Sequence, residues 1–93
     1  MNMKRFLQIM KALGDSRRLE IFERIAAHND EISCSDLRTE IRISRATMSH
    51  HIRELLAAGL IDARRKSKYM YLRLRRKTWS DYTRHLSRIA LNG

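Results

Sequence analysis

Apolar residues recur along this chain at two different periods. Met3, Phe6, Leu7, Met10 and Leu13 fall at three- and four-residue steps, which predicts a first helix with one apolar face, ended at Gly14. Asp15 is placed to cap a second helix running to about His28, with Leu19, Phe22, Ile25 and Ala26 turned inward and Glu20 paired to Arg24 four residues on. His28 to Glu31 reads as a polar turn. Ser33 to Asp36 has the S-x-x-D form of a helix start, so Ser33 caps a short third helix with Leu37 and Ile41 inside. Past Arg42-Ile43, Ser44 caps a fourth helix whose buried stripe is Met48, Ile52, Leu55 and Leu56. Gly59 stands where a left-handed C-terminal cap is expected.

The period then drops to two. Met70, Leu72 and Leu74 alternate with Tyr69, Tyr71 and Arg73, the pattern of a half-buried strand, and Leu60 to Arg64 can pair with it antiparallel across a basic tip. Thr78 opens a last helix with Trp79, Tyr82, Leu86, Ile89 and Ala90 along one broad side. There is no proline, internal repeat or linker, so residues 1–93 read as one domain, mainly α with a small β-hairpin, in the order α-α-α-α-β-β-α.

Charge changes the picture. Twenty Lys and Arg stand against ten Asp and Glu, an excess that favours polyanions and makes their binding salt-sensitive. The excess is local: between Ile61 and Lys77 lie Arg64, Arg65, Lys66, Lys68, Arg73, Arg75, Arg76 and Lys77, with only Asp62 to oppose them. No apolar run approaches the roughly 20 residues of a membrane span. The first residues lead into amphipathic helix without a signal-peptide block, and a single cysteine fits a reducing compartment, so a cytoplasmic location is expected.

Two short helices joined by a tight turn match a helix-turn-helix, whose second helix enters the major groove of double-stranded DNA. Removing the buried stripe of the fourth helix leaves Arg45, Ala46, Thr47, Ser49, His50 and Arg53 facing outward beyond the cap, Ser44. Arg45 can donate twice to guanine, the hydroxyls and His50 can bond bases or phosphates, and Ala46 can meet a thymine methyl. Arg64, Arg65, Lys66, Ser67 and Lys68 form a basic hairpin tip suited to flanking phosphate. Helix and tip together divide specifying from positioning contacts, the plan of a winged helix-turn-helix. His51 is readable either as an outer residue or as support at the core's edge. The alternatives are a redox-responsive regulator of the same fold, and a winged helix used for RNA or protein interaction.

Four segments resemble the ArsR/SmtB-type winged-helix repressors. Ala12 to Ile21 is similar to the family's A-L-x-D-P-x-R-x-x-I opening, with Ser16 at the proline. Glu31 to Leu37 is similar to E-L-C-x-C-D-L, with Ser33 and Ser35 at its cysteines. Ser44 to Ile61 resembles S-x-x-T-V-S-H-H-L-x-x-L-x-x-A-G-L-V, with Ala46 where a serine is common. Arg64 to Leu74 resembles the family's wing, with Ser67 at or near its glycine. The resemblance implies a homodimeric transcriptional repressor built on its first and last helices and bound to a palindromic operator, with Ser49 and His50 at DNA-contact positions.

Many members of that family release DNA on binding metal. Here the soft-metal positions are serines, and the last helix offers only Asp81 and His85, better read as an ion pair. No metal and no cofactor are expected. Cys34 is the candidate redox residue if its position near a helix start lowers its pKa, and otherwise a small buried hydrophobe. Phe6 and Met10, with Trp79, Tyr82, Leu86 and Ile89, are the candidate dimer interface. No nucleophile–base pair or phosphate loop is placed for catalysis, so an enzyme is not expected.

Overall fold

In a computed structural model, which describes residues 1–92, the chain runs α1 (Met3–Leu13), α2 (Ser16–Ala27), β1 (Ile32–Ser33), α3 (Cys34–Ile41), α4 (Arg45–Ala57), β2 (Ile61–Lys66), β3 (Tyr69–Leu74) and α5 (Arg76–Asn92). Four helices start on side-chain caps. Asn2 accepts from the Arg5 N–H, Asp15 from Arg18, Ser33 from Asp36 and Ser44 from Thr47, at 2.8 to 3.2 Å. Each cap satisfies one of the first-turn N–H groups that a helix leaves unpaired.

The core lies where α1, α2, α3 and α4 meet the sheet, around Ile9, Ile21, Ile25, Leu37, Leu55 and Leu72. β3 is the central strand, pairing antiparallel with β2 on one side and with β1 on the other. β1 was not expected: at two residues, Ile32 and Ser33, it is too short to show a period, and only pairing with Leu72 and Tyr71 defines it. Ser33 therefore both closes the sheet and caps α3.

Several expected positions are corrected. α1 buries Phe6, Ile9 and Ala12, while Met3, Leu7 and Met10 face out. The helix is apolar around more than one side, and periodicity cannot tell which stripe meets the core. Leu19 and Leu56 are exposed, and Ile21 and His51 occupy the inward places on α2 and α4. Glu20 pairs with Arg17 rather than Arg24, which reaches Glu40 instead. The first hairpin strand, β2, continues to Lys66, so Arg64, Arg65 and Lys66 are strand residues and the tip is only Ser67-Lys68. Ser67 takes φ 59 at the first loop position, which a type II′ hairpin turn usually gives to glycine. α5 starts at Arg76, two residues before Thr78.

Gly59 joins α4 to the hairpin. It has φ +74, its N–H reaches the Leu56 carbonyl at 3.0 Å, and the next N–H, of Leu60, reaches Leu55 at 3.1 Å, the bond pair of a Schellman motif. A Cβ there would also run into the Arg5 guanidinium, which donates to the Ala57 carbonyl at the end of α4. This turn sets the direction in which the hairpin leaves α4.

Candidate nucleic-acid interface

The turn between α3 and α4 is closed by Arg42, which caps α3 at φ 59. Ser44 then opens α4. Its Oγ accepts from the Thr47 N–H and its hydroxyl donates to Thr47 Oγ1 at 2.9 Å, so Ser44 is engaged in holding the helix start. Met48, His51, Ile52 and Leu55 lie on the buried side. Arg45, Ala46, Thr47, Ser49, His50 and Arg53 are all exposed.

Of its two readings, His51 takes the supporting one. It is 6% exposed, and its Nδ1 accepts a hydrogen bond from Arg18 Nε at 3.2 Å. The same Arg18 donates to the Ala12 carbonyl at the end of α1, so one guanidinium ties α1 and α2 to the recognition helix. Burial holds the imidazole below its ordinary pKa, helped by the nearby Arg18, His50 and Arg17 charges and opposed by Asp15. A neutral ring is the form that can accept at Nδ1.

The hairpin's basic residues divide into two groups. Arg64 bonds Glu31, which raises its pKa. Arg73 and Arg75 converge on Asp62 at 3.8 and 3.4 Å, Arg76 donates to the Asn29 carbonyl at 3.2 Å, and Lys77 meets Asp81 at 3.1 Å. Among the described residues Arg65, Lys66 and Lys68 have no carboxylate within ion-pair distance. Lys68 lies 5.6 Å from the Tyr69 ring centre. Charge counting along the sequence could not make this division.

The unpaired tip and the recognition helix face one space. A groove of about 610 Å³ is lined by Arg45, Ser49 and Arg53 of α4, by Arg65, Lys68 and Tyr69 of the hairpin, and by Cys34, Ser35 and Arg38 of α3, over a floor of Met48, Ile52 and Met70. Arg38, Ser35 and Tyr69 were not among the DNA-contact residues expected from the sequence. The only signal was helical spacing, which puts Arg38 one turn from Cys34.

A family model described as a helix-turn-helix domain matches residues 13–64, which span α2 to β2. YceK of Bacillus subtilis (strain 168), an uncharacterized HTH-type transcriptional regulator, is 36% identical over 81% of this chain and 75% of its own length. An ArsR-like transcriptional regulator from Rhodococcus sp. RHA1 superposes with a TM-score of 0.84 at 25% identity, covering 96% of this chain and 82% of that one. The chain belongs to the ArsR family of winged helix-turn-helix transcription regulators. It is a DNA-binding regulator and not an enzyme. The homodimeric winged helix-turn-helix domain Mb0332 from Mycobacterium bovis, described as a possible ArsR-family regulator, matches 95% of this chain and 77% of that one, with a TM-score of 0.72 at 25% identity. Some arsenical and cadmium resistance regulators also match, and the chain spans about half the length of the first of these.

Within this ArsR-family chain, the residues expected at a dimer seam separate. Phe6 and Tyr82 are buried inside the protomer with ring centres 5.3 Å apart, and Trp79 is half-buried against Phe22 at 5.1 Å. Burial also pushes the Tyr82 hydroxyl up. Met10, Leu86 and Ile89 are exposed, as are Met3, Leu7 and Leu91. Asp81 does not pair with His85: Lys77 and Arg84 hold it and lower its pKa, while the His85 ring stacks on Phe6 at 4.0 Å. Cys34 is half-buried against the core, and burial pushes its thiol up despite the nearby Arg38 charge, which argues against a reactive thiolate. No helix is long and apolar enough to cross a membrane among the described residues.

Proposed function

We propose that this chain is a homodimeric, metal-independent repressor that binds a two-fold symmetric operator. Each α4 enters a major groove with Arg45, Ala46, Thr47, Ser49, His50 and Arg53 toward the bases. Arg65, Lys66, Ser67 and Lys68 rest on flanking backbone. Arg64, held by Glu31, stiffens the hairpin from behind. The observation that carries this reading is the shared groove: Arg45, Ser49 and Arg53 on one wall and Arg65 and Lys68 on the other. One stretch of duplex can touch both walls at once.

Dimerisation is supported by an apolar surface that the protomer leaves uncovered. Met3, Leu7 and Met10 run along α1, and every residue of α5 from Leu86 to Leu91 is exposed. A half-helix carrying Leu86, Ile89 and Leu91 without cover in its own chain suits a second copy, as in the homodimeric Mb0332 domain. Metal independence rests on the α3 donors. Ser33 is buried and its hydroxyl accepts from the Asp36 N–H as the helix cap, so it is already engaged in holding the helix.

Sequencing genomic fragments that the protein retains tests this. The expected motif has inverted half-sites about one helical turn, or a multiple, apart. Zinc, cadmium or arsenite should leave affinity for that duplex within about two-fold. Equal affinity for a single half-site and the full site, or release by one of these metals, overturns the corresponding part of the proposal.

A further inference from the structure

We propose that α3 contributes a third part of the DNA surface, with Arg38 gripping a phosphate of the strand that lies in the groove between α4 and the hairpin. The inference rests on the DNA-binding reading above and extends it to a helix that neither the recognition face nor the wing includes. Five cations line that groove, Arg38, Arg45, Arg53, Arg65 and Lys68, and no carboxylate does. Outside the groove many arginines have an acidic partner, Arg17 with Glu20, Arg24 with Glu40, Arg64 with Glu31, and Arg73 and Arg75 with Asp62, whereas Arg42 and Arg88 have none among the described residues and stand away from the groove. Among the described residues no such partner is given to Arg38, although α3 carries Asp36 and Glu40 on its other sides. Like charges gathered around one opening raise the energy of the empty state and favour a polyanion entering it.

The side chain is also suited to the task. Arg38 is half-buried on a helix anchored by Leu37 and Ile41, so its stem is held while its guanidinium reaches the groove. A planar fork on a fixed stem matches two phosphate oxygens, where a lysine offers a point charge. Tyr69 and Lys68 stand at the hairpin wall of the same groove. Cys34, one turn before Arg38, opens onto it as well, which provides a chemical reporter for whatever fills the space.

The test uses a 30-base-pair duplex of mixed sequence, because phosphate contacts do not depend on operator sequence. Binding is followed by fluorescence anisotropy between 50 and 300 mM salt. Arg38→Gln should lower the salt slope by about 0.9 and weaken affinity by roughly eight-fold at 0.1 M salt. Arg38→Lys should keep most of the slope, and Arg73→Gln, at a paired site, should change neither. In the unaltered protein, saturating duplex should also slow alkylation of Cys34 by iodoacetamide at pH 8.5. An unchanged slope for a folded Arg38→Gln protein overturns the role of α3 while leaving DNA binding intact. Equal Cys34 alkylation with and without bound duplex shows the groove empty and overturns it even if that variant fails to fold. If the unaltered protein shows no salt-dependent duplex binding, the DNA reading itself fails.

Discussion

At the base of the β2–β3 hairpin Asp62 lies between Arg73 and Arg75, Arg76 is bonded to a loop carbonyl and Lys77 to Asp81; at the tip, Arg65, Lys66 and Lys68 face solvent with no carboxylate partner among the described residues. The two ends hold similar residues within one basic run of sequence. At the base the charges are answered by the protein and serve to fix where α5 leaves the sheet. At the tip they are left for something else to answer. On the proposed DNA reading, the end of the hairpin whose cations lack acidic partners is the one that meets phosphate.

The most severe way to break this contrast is to neutralise the tip. Replacing Arg65, Lys66 and Lys68 with Gln should cut the salt slope of duplex binding by about 2.7 and weaken affinity on the order of 100-fold near 0.15 M salt, read by anisotropy. An unchanged slope would mean that the tip does not meet phosphate. Arg45→Ala should cost about 1–3 kcal/mol against the selected operator and much less against mixed-sequence DNA. Equal losses on both duplexes would place Arg45 with the backbone contacts instead.

A milder effect comes from the support beneath the reader. His51 has a folded pKa below its unfolded value of 6.5, so the unfolded chain binds the proton first. Its contribution to stability is complete above about pH 6.5 and is lost as pH falls toward the depressed folded value. Melting temperature should therefore drop between pH 7.5 and 5.5, and His51→Leu should flatten that slope. An identical slope in the variant would show that the Arg18–His51 bond carries none of it. The smallest change is expected at the hairpin base. Arg73→Gln with Arg75→Gln should alter DNA affinity by less than about two-fold and stability by about 0–1 kcal/mol. A tip-sized loss there would erase the distinction between the two ends.

Much of the fold was legible in the chain. The caps Asp15, Ser33 and Ser44 were readable because side-chain capping is local, and Gly59 because its left-handed turn follows directly on a helical stripe. β3 showed its period of two. β1 did not, because two residues hold no period and the pairing partner lies about forty residues away. The outward face of α4 was legible once its inner stripe was subtracted, but Leu56 was placed inside and His51 stayed open between two readings. A histidine's burial depends on whether a donor such as Arg18 arrives from another helix.

Local order along the chain determined the succession of elements, the polar outward face of α4 and the presence of a cationic loop after it, since each follows from neighbours a few residues apart. Which apolar stripe of α1 goes inside, which arginines are paired and which stay free, and that Arg38 stands in the same groove as Arg65 were decided only by packing. Those outcomes depend on distances between residues far apart in sequence, and periodicity contains no record of them.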